Sequence, residues 1–190
     1  MSSRIDILIK WGVQPIRCFL EEVPFHFEQR AAAVANAAEP DYLPDGQLGQ
    51  REVYAAARSL SLASVVERLN ALVDEVLLTL ASRLLPSEWA LTNRAMSRTR
   101  KQLLDAIAHE SGTDLASLPG WSQVEAIREA TNSLKHRGGM SLPEPGLHGV
   151  PVFRNAQLEV EALRQSIDDV SAWLLALWHA TEGAKHDDAV

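Results

Sequence analysis

The chain has 190 residues, of which 46% are hydrophobic and 23% charged, and its formal net charge is −7 at pH 7. These values predict one globular domain, residues 1–190, and argue against a protein that coats nucleic acid, although a local basic cleft is compatible with them. Cys18 is the only cysteine, which excludes an intramolecular disulfide or a cysteine zinc cluster. With no signal-like or membrane-spanning apolar run, we expect a cytoplasmic protein without membrane contact.

The N-terminal third of the chain is predicted to be helical but interrupted. Residues 4–13 are compatible with a strand, an ordered arm or the lead-in to a helix. Pro15 is expected in the first turn of a short helix that Pro24 interrupts. An alanine-rich helix follows over residues 25–38, and turn-forming residues over 39–50 predict a loop.

The longest predicted helix covers about residues 51–85. Apolar residues recur along it at steps of three and four, which is typical of a helix packed in a core. They are Leu62, Val66, Leu69, Val73, Val76, Leu80 and Leu84. Another helix is predicted over residues 91–111, with Thr92 or Asn93 as its N-cap.

Two further helices complete the predicted fold. The first covers about residues 121–137, and a glycine- and proline-rich loop follows over about 138–153. The second covers about residues 155–183, and the polar tail 184–190 is expected to be frayed. The pattern therefore predicts an all-α protein, a four- or five-helix bundle.

Chemically capable side chains concentrate at the end of the penultimate predicted helix. Arg128, Asn132 and His136 are four residues apart in turn, so they share one helix face. His136 falls in the last turn, where the helix dipole favours the protonated imidazole. Lys135 and Arg137 flank it and raise the local positive potential. Histidine for proton transfer beside arginine for anion binding suits a phosphodiester better than a carbonyl substrate.

A second basic segment precedes this helix. Arg94, Arg98 and Lys101 follow each other at steps of four and three, which predicts one helix face, with Arg100 close by. If that face lies near the penultimate helix, the two form a channel for an RNA backbone. A solvated basic face is the alternative interpretation.

The spacing along the helix limits what one copy of the chain can do. From Arg128 to His136 the helix rises about 12 Å and turns by about 80°. Helical side chains also lean towards the N-terminus, so Arg128 points away from His136. A two-fold axis near Asn132 would instead bring Arg128 of one subunit to His136 of the other. We therefore expect a composite site at a homodimer interface.

This arrangement resembles a HEPN domain (higher eukaryotes and prokaryotes nucleotide-binding), as a divergent member whose motif ends in Asn-x-x-Lys-His-x-x-Gly, residues 132–139. The resemblance implies a HEPN-like bundle, a homodimer and a metal-independent endoribonuclease of toxin–antitoxin or phage-defence systems. An antitoxin or another protein partner would control it. By the same resemblance His136 is the acid–base residue, Arg128 the phosphate stabiliser and Asn132 a polar helper. Glu67 is the candidate for an assisting acidic residue.

Two alternative interpretations stay open for the same residues. His136 between Lys135 and Arg137 also fits a helix C-terminal cap, because cations are favoured there. In that case the chain would be a non-catalytic helical module that binds a partner protein or a nucleotide within a larger assembly.

A metal site is a weaker interpretation of the remaining histidines. His179, Glu182 and His186 share a helix face, and Asp105 and His109 are four residues apart. A bundle that binds metals needs a second Glu-x-x-His pair, which this sequence lacks. We therefore predict no metal and no cofactor.

Overall fold

The computed structural model describes residues 4–35, 49–84, 99–137 and 160–183, which form five α-helices and one short 3-10 helix. The helices are α1 (Arg4–Ala35), α2 (Gln50–Leu84), α3 (Arg100–Ser111), the 3-10 helix (Leu115–Ser117), α4 (Trp121–Arg137) and α5 (Val160–Gly183). These described residues contain no strand, so the predicted all-α helical bundle is confirmed. None of these helices is long and apolar enough to cross a membrane.

Helix α2 is the centre of the bundle. It packs against α1, α3, α4 and α5, and its contact with α1 is the most extensive between any two helices. The predicted apolar stripe is buried from Leu62 to Leu80, and Leu84 is half-buried. Val65, Leu72 and Leu77, which lie off that stripe, are buried as well. A helix with neighbours on several sides buries more than one stripe.

Helix α1 corrects the prediction for the N-terminal third. It runs unbroken through Pro15 and Pro24, so the expected interruption at Pro24 and the first-turn position of Pro15 are wrong. An interior proline removes one helical hydrogen bond and costs about 3 kcal/mol. Burial of aliphatic side chains against α2, each worth about 1.5–3 kcal/mol, offsets that cost. The buried residues are Ile9, Val13, Ile16 and Leu20.

Two predicted segments are parts of this one helix. The ambiguous residues 4–13 are its first turns, and the predicted helix 25–38 is its C-terminal part as far as Ala35. Residues 36–48, which include most of the predicted 39–50 loop, lie outside the described residues.

Helix α3 begins later than the sequence pattern predicts. Thr99 has an extended backbone (φ −69°, ψ 152°) and caps the helix. Its hydroxyl accepts from the backbone N–H of Gln102, and the Gln102 side chain accepts from the Thr99 N–H at 2.9 Å. This reciprocal pair satisfies donors that the first turn leaves free. Thr92 and Asn93 are therefore not the N-cap of this helix, and residues 91–98 lie outside the described residues.

The last two helices follow the prediction closely. Helix α4 has the predicted bounds, and α5 is described from Val160. Apolar residues of α5 at helical spacing are buried together with Trp173 and Trp178; they are Leu163, Ile167, Val170, Leu174 and Leu177. Arg164 of α5 hydrogen-bonds both carboxylate oxygens of Glu21 on α1, which lowers the pKa of Glu21. The predicted loop 138–153 and tail 184–190 lie outside the described residues.

Gly120 positions the start of α4 against α5. Its φ of +88° is one that side chains rarely tolerate. A Cβ atom there would also lie 2.1 Å from the carbonyl oxygen of Asp169. Beside it, the rings of Trp121 and Trp173 pack 5.6 Å apart, and Trp173 Nε1 donates to the Leu115 carbonyl at 3.1 Å.

The substitution Gly120→Ala is expected to lower the free energy of unfolding by more than about 2 kcal/mol. Backbone strain and the collision with Asp169 both destabilise the variant, and their effects are additive. Gly112→Ala is the matched control: its φ is +63° but no atom lies within 4 Å of the added Cβ. Strain alone should cost it about 1 kcal/mol. Denaturant unfolding measures both, and equal losses would show that the close approach of α4 to α5 is unimportant.

Candidate functional site

Helix α4 separates an apolar side from a polar side. Val124, Ile127 and Thr131 are buried, and the Thr131 hydroxyl donates to the Ile127 carbonyl at 2.8 Å. Along the edge of this apolar side Asn132 and Lys135 are exposed. The side chain of Arg128 is 40% exposed. These three polar residues, Arg128, Asn132 and Lys135, form a row along the open side of the helix, which we call the polar row of α4.

Four predicted site residues have side chains outside the described part of the structure. His136 and Arg137 belong to the last turn of α4, and only their place in the helix is described. Arg94 and Arg98 lie in the segment before Thr99. Helix α3 begins after Thr99 and carries Lys101.

Lys101 and Arg128 line one cleft between α3, the 3-10 helix and the first half of α4. The cleft has a volume of about 360 Å³. Leu104, Leu115 and Trp121 form much of its apolar lining. Its other charged residues are acidic: Asp105, Asp114 and Glu125. Three carboxylates facing two cations make this a mixed-charge cleft rather than a basic channel.

Arg128 has an acidic neighbour on its own helix. Its Nη1 lies 3.6 Å from Oε1 of Glu125, one turn earlier. That oxygen is inaccessible to solvent and makes no hydrogen bond. Half-exposed pairs of this length contribute no more than about 1 kcal/mol. At 3.6 Å this contact is too long for a hydrogen bond, so Arg128 keeps donors for another anion, such as a phosphate.

Arg100 has a structural role that the sequence did not reveal. Its side chain is only 7% exposed, and Nε lies 2.7 Å from Oδ1 of Asp74 on α2. Nη2 donates to the backbone carbonyl and the side-chain oxygen of Asn70, at 3.1 and 2.7 Å. These bonds join the start of α3 to the middle of α2, so Arg100 is not part of an exposed basic surface.

Glu67 lies apart from the cleft. It is exposed on α2, one turn before Asn70, and does not line the space between Lys101 and Arg128. The structure therefore brings Lys101 and Arg128 together but does not bring Glu67 to them.

The described histidines form no metal centre. Within residues 4–35, 49–84, 99–137 and 160–183, no three His, Cys, Asp or Glu side chains are grouped to hold an ion. His179 lies 3.8 Å from Glu182, and His186 is outside these ranges.

Comparison with known proteins gives no match: no protein-family model, curated protein or solved structure matches this chain. The resemblance to HEPN domains therefore depends on the residues of the 128–139 segment and on the helical order alone.

Neighbouring basic residues of α3 should differ sharply in their contribution to stability. Arg100→Gln removes a buried guanidinium that bonds two residues of α2, so the free energy of unfolding should fall by about 1–3 kcal/mol. Lys101→Gln alters an exposed side chain and should change it by less than about 0.5 kcal/mol. Urea titrations of both variants test this, and similar losses would contradict the structural role of Arg100.

Proposed function

We propose that this chain is a HEPN-like, metal-independent endoribonuclease whose active site combines Arg128 of one subunit with His136 of its partner. The polar row of α4 is the observation that supports it most strongly. The buried side of α4 holds the helix in the bundle, and the row leads along the open side to the turn that contains His136. An open polar helix face can pack on its own copy and still admit a strand of RNA between the two subunits.

The chemistry assigned to these residues needs no metal. His136 accepts the proton of a ribose 2′-hydroxyl, and that oxygen attacks the adjacent phosphorus. The bond from phosphorus to the 5′-oxygen breaks, a 2′,3′-cyclic phosphate forms, and the leaving oxygen takes up a proton. Arg128 binds the phosphate oxygens, on which negative charge increases in the transition state. Asn132 orients the substrate or the imidazole.

The charges around Arg128 suit a substrate that displaces an internal partner. In the free chain Glu125 neutralises part of the Arg128 charge. A phosphate offers two oxygens to the guanidinium fork and would replace that pair. Lys101 lines the same cleft and would contact a neighbouring phosphate. Because the chain carries a net charge of −7, RNA binding should be confined to this face and should weaken as salt rises.

A non-catalytic module that binds a partner protein or nucleotide is the second candidate. One observation favours it: Arg128 already has a neighbouring carboxylate, as a residue of a solvated helix face would. His136 would then only stabilise the C-terminus of α4.

RNA cleavage in EDTA distinguishes the two candidates. The wild type should cleave cellular RNA, and His136→Ala should be slower by at least about 100-fold, because it lacks the acid–base group. His109→Ala is the matched control, since that imidazole is 85% exposed on α3 beside Glu110. It should cleave like the wild type. Intact RNA with all three folded proteins favours the binding module, and equal cleavage by all three removes His136 from the site.

A composite site predicts complementation between two inactive variants. When Arg128→Ala and His136→Ala are mixed and their subunits exchange, half of the dimers are mixed, and each mixed dimer holds one intact site. Activity should therefore return to about a quarter of the wild-type value. Arg128→Ala mixed with the double variant R128A/H136A is the control, because no intact site can form there. Absence of rescue after confirmed exchange would place both groups in one subunit.

A further inference from the structure

The hairpin of α1 and α2 carries several exposed large apolar side chains. In the described part of the chain, every strongly exposed large hydrophobic side chain belongs to one of these two helices. They are Ile7, Trp11, Phe19, Phe25, Val53 and Leu60. Trp11 is 77% exposed, which is rare for a tryptophan in a soluble protein that has no partner. We call the four on α1, Ile7, Trp11, Phe19 and Phe25, the hairpin patch.

A groove lies beside Trp11, between the two helices. Its volume is about 330 Å³, and its α1 side is formed by Trp11, Pro15 and Phe19. Ser64 and Arg68 line it from α2. The helices approach closely here, since a Cβ atom on Gly12 would lie 2.4 Å from the Leu72 side chain. The patch thus contains both a projecting side chain and a depression.

The size of the patch matches what a stable interface requires. Exposed fractions between 39% and 77% on these four side chains amount to roughly 400 Å² of apolar surface. A standard protein–protein interface buries about 800 Å² on each partner, of which rather more than half, about 450 Å², is apolar. A single hairpin patch therefore provides most of the apolar share of such an interface.

We propose that a second copy of this chain covers the hairpin patch, with the two α1 helices antiparallel about a two-fold axis near Pro15. Trp11 and Phe19 lie four residues on either side of Pro15, about 6 Å in each direction. The two-fold axis then places Trp11 of each copy over Phe19 and the groove of the other. Arg68 is the one charged residue that lines the groove, and its guanidinium can stack on the incoming indole.

This interface is separate from the one that the ribonuclease proposal uses. Both α1 and α4 pack against α2 and α5, which lie between them. Covering the hairpin patch therefore leaves the polar row of α4 open. If both interfaces form and their two-fold axes generate a closed assembly, that assembly is a tetramer. If only the hairpin patch is used, it is a dimer.

The test uses the full chain at micromolar concentration in analytical ultracentrifugation. Trp11→Glu should halve the mass of the assembly while the helical circular dichroism is kept, because burying a carboxylate in an apolar interface is unfavourable. Ala32→Glu is the matched control, as it places the same charge at an exposed position of α1 far from Pro15. It should leave the mass unchanged. A monomeric wild type, or a Trp11→Glu assembly of wild-type mass, overturns the proposal.

Cys18 provides a second readout. It is exposed and is the only cysteine in the chain. In the proposed arrangement the two Cys18 residues lie roughly 13 Å apart between Cα atoms, three residues from the axis on each helix. A short bis-maleimide should link wild-type and Ala32→Glu subunits in pairs but not Trp11→Glu subunits. Equal linkage in all three would contradict the antiparallel geometry.

RNA cleavage separates this proposal from the proposed function. Trp11 lies on α1, outside the proposed site, so Trp11→Glu should retain cleavage if the α4 dimer persists. A monomeric Trp11→Glu that still cleaves would refute the composite site but support this interface. A fluorescence quencher tests whether Trp11 is covered in the monomer. If wild-type Trp11 is shielded from the quencher while the protein is monomeric, another part of the chain covers the patch, and the proposed interface between two copies is wrong.

Discussion

Burial of α2 is the constraint on which the arrangement of this protein depends. Twelve of its residues are buried, and they face four different helices. Because one long helix must be covered on several sides, each neighbour contributes only its own apolar side. Helix α4 contributes Val124 and Ile127 and leaves its polar row outside. Helix α1 contributes Ile9, Ile16 and Leu20, but it also leaves large apolar side chains such as Trp11 on its outer side.

The sequence predicted the faces of the helices better than their ends. Apolar periodicity is local, so the stripe of α2 could be read directly from the sequence. The continuity of α1 through Pro24 could not be predicted from the sequence, because packing against α2 offsets the lost hydrogen bond. The start of α3 was readable in principle: Thr99 has Gln102 three residues later, the spacing of a capping box. Thr92 and Asn93 lack that partner at the matching position.

The candidate site was predictable as far as single helices decide it. The outward row of Arg128, Asn132 and Lys135 follows from spacing, and so does the proximity of Glu125 to Arg128. The different roles of Arg100 and Lys101 do not follow from spacing. Only the folded chain brings Asn70 and Asp74 next to Arg100, and the sequence does not distinguish two adjacent cations. Seven residues separate Arg128 from His136, and no property of one helix can say whether a second copy brings them together.

The polar row of α4 and the hairpin patch differ in how favourably they interact with water. The polar row of α4 is exposed to solvent, so its side chains do not destabilise the chain when no charged ligand is bound. The hairpin patch exposes aromatic surface that water does not favour, and only another apolar surface relieves it. Pro15 lies in the middle of that patch and is exposed. Its missing N–H leaves the Trp11 carbonyl without its helical donor, which is tolerable where solvent or a partner's donor can reach it. The proposed self-association through α1 and the proposed substrate binding through α4 can therefore vary independently.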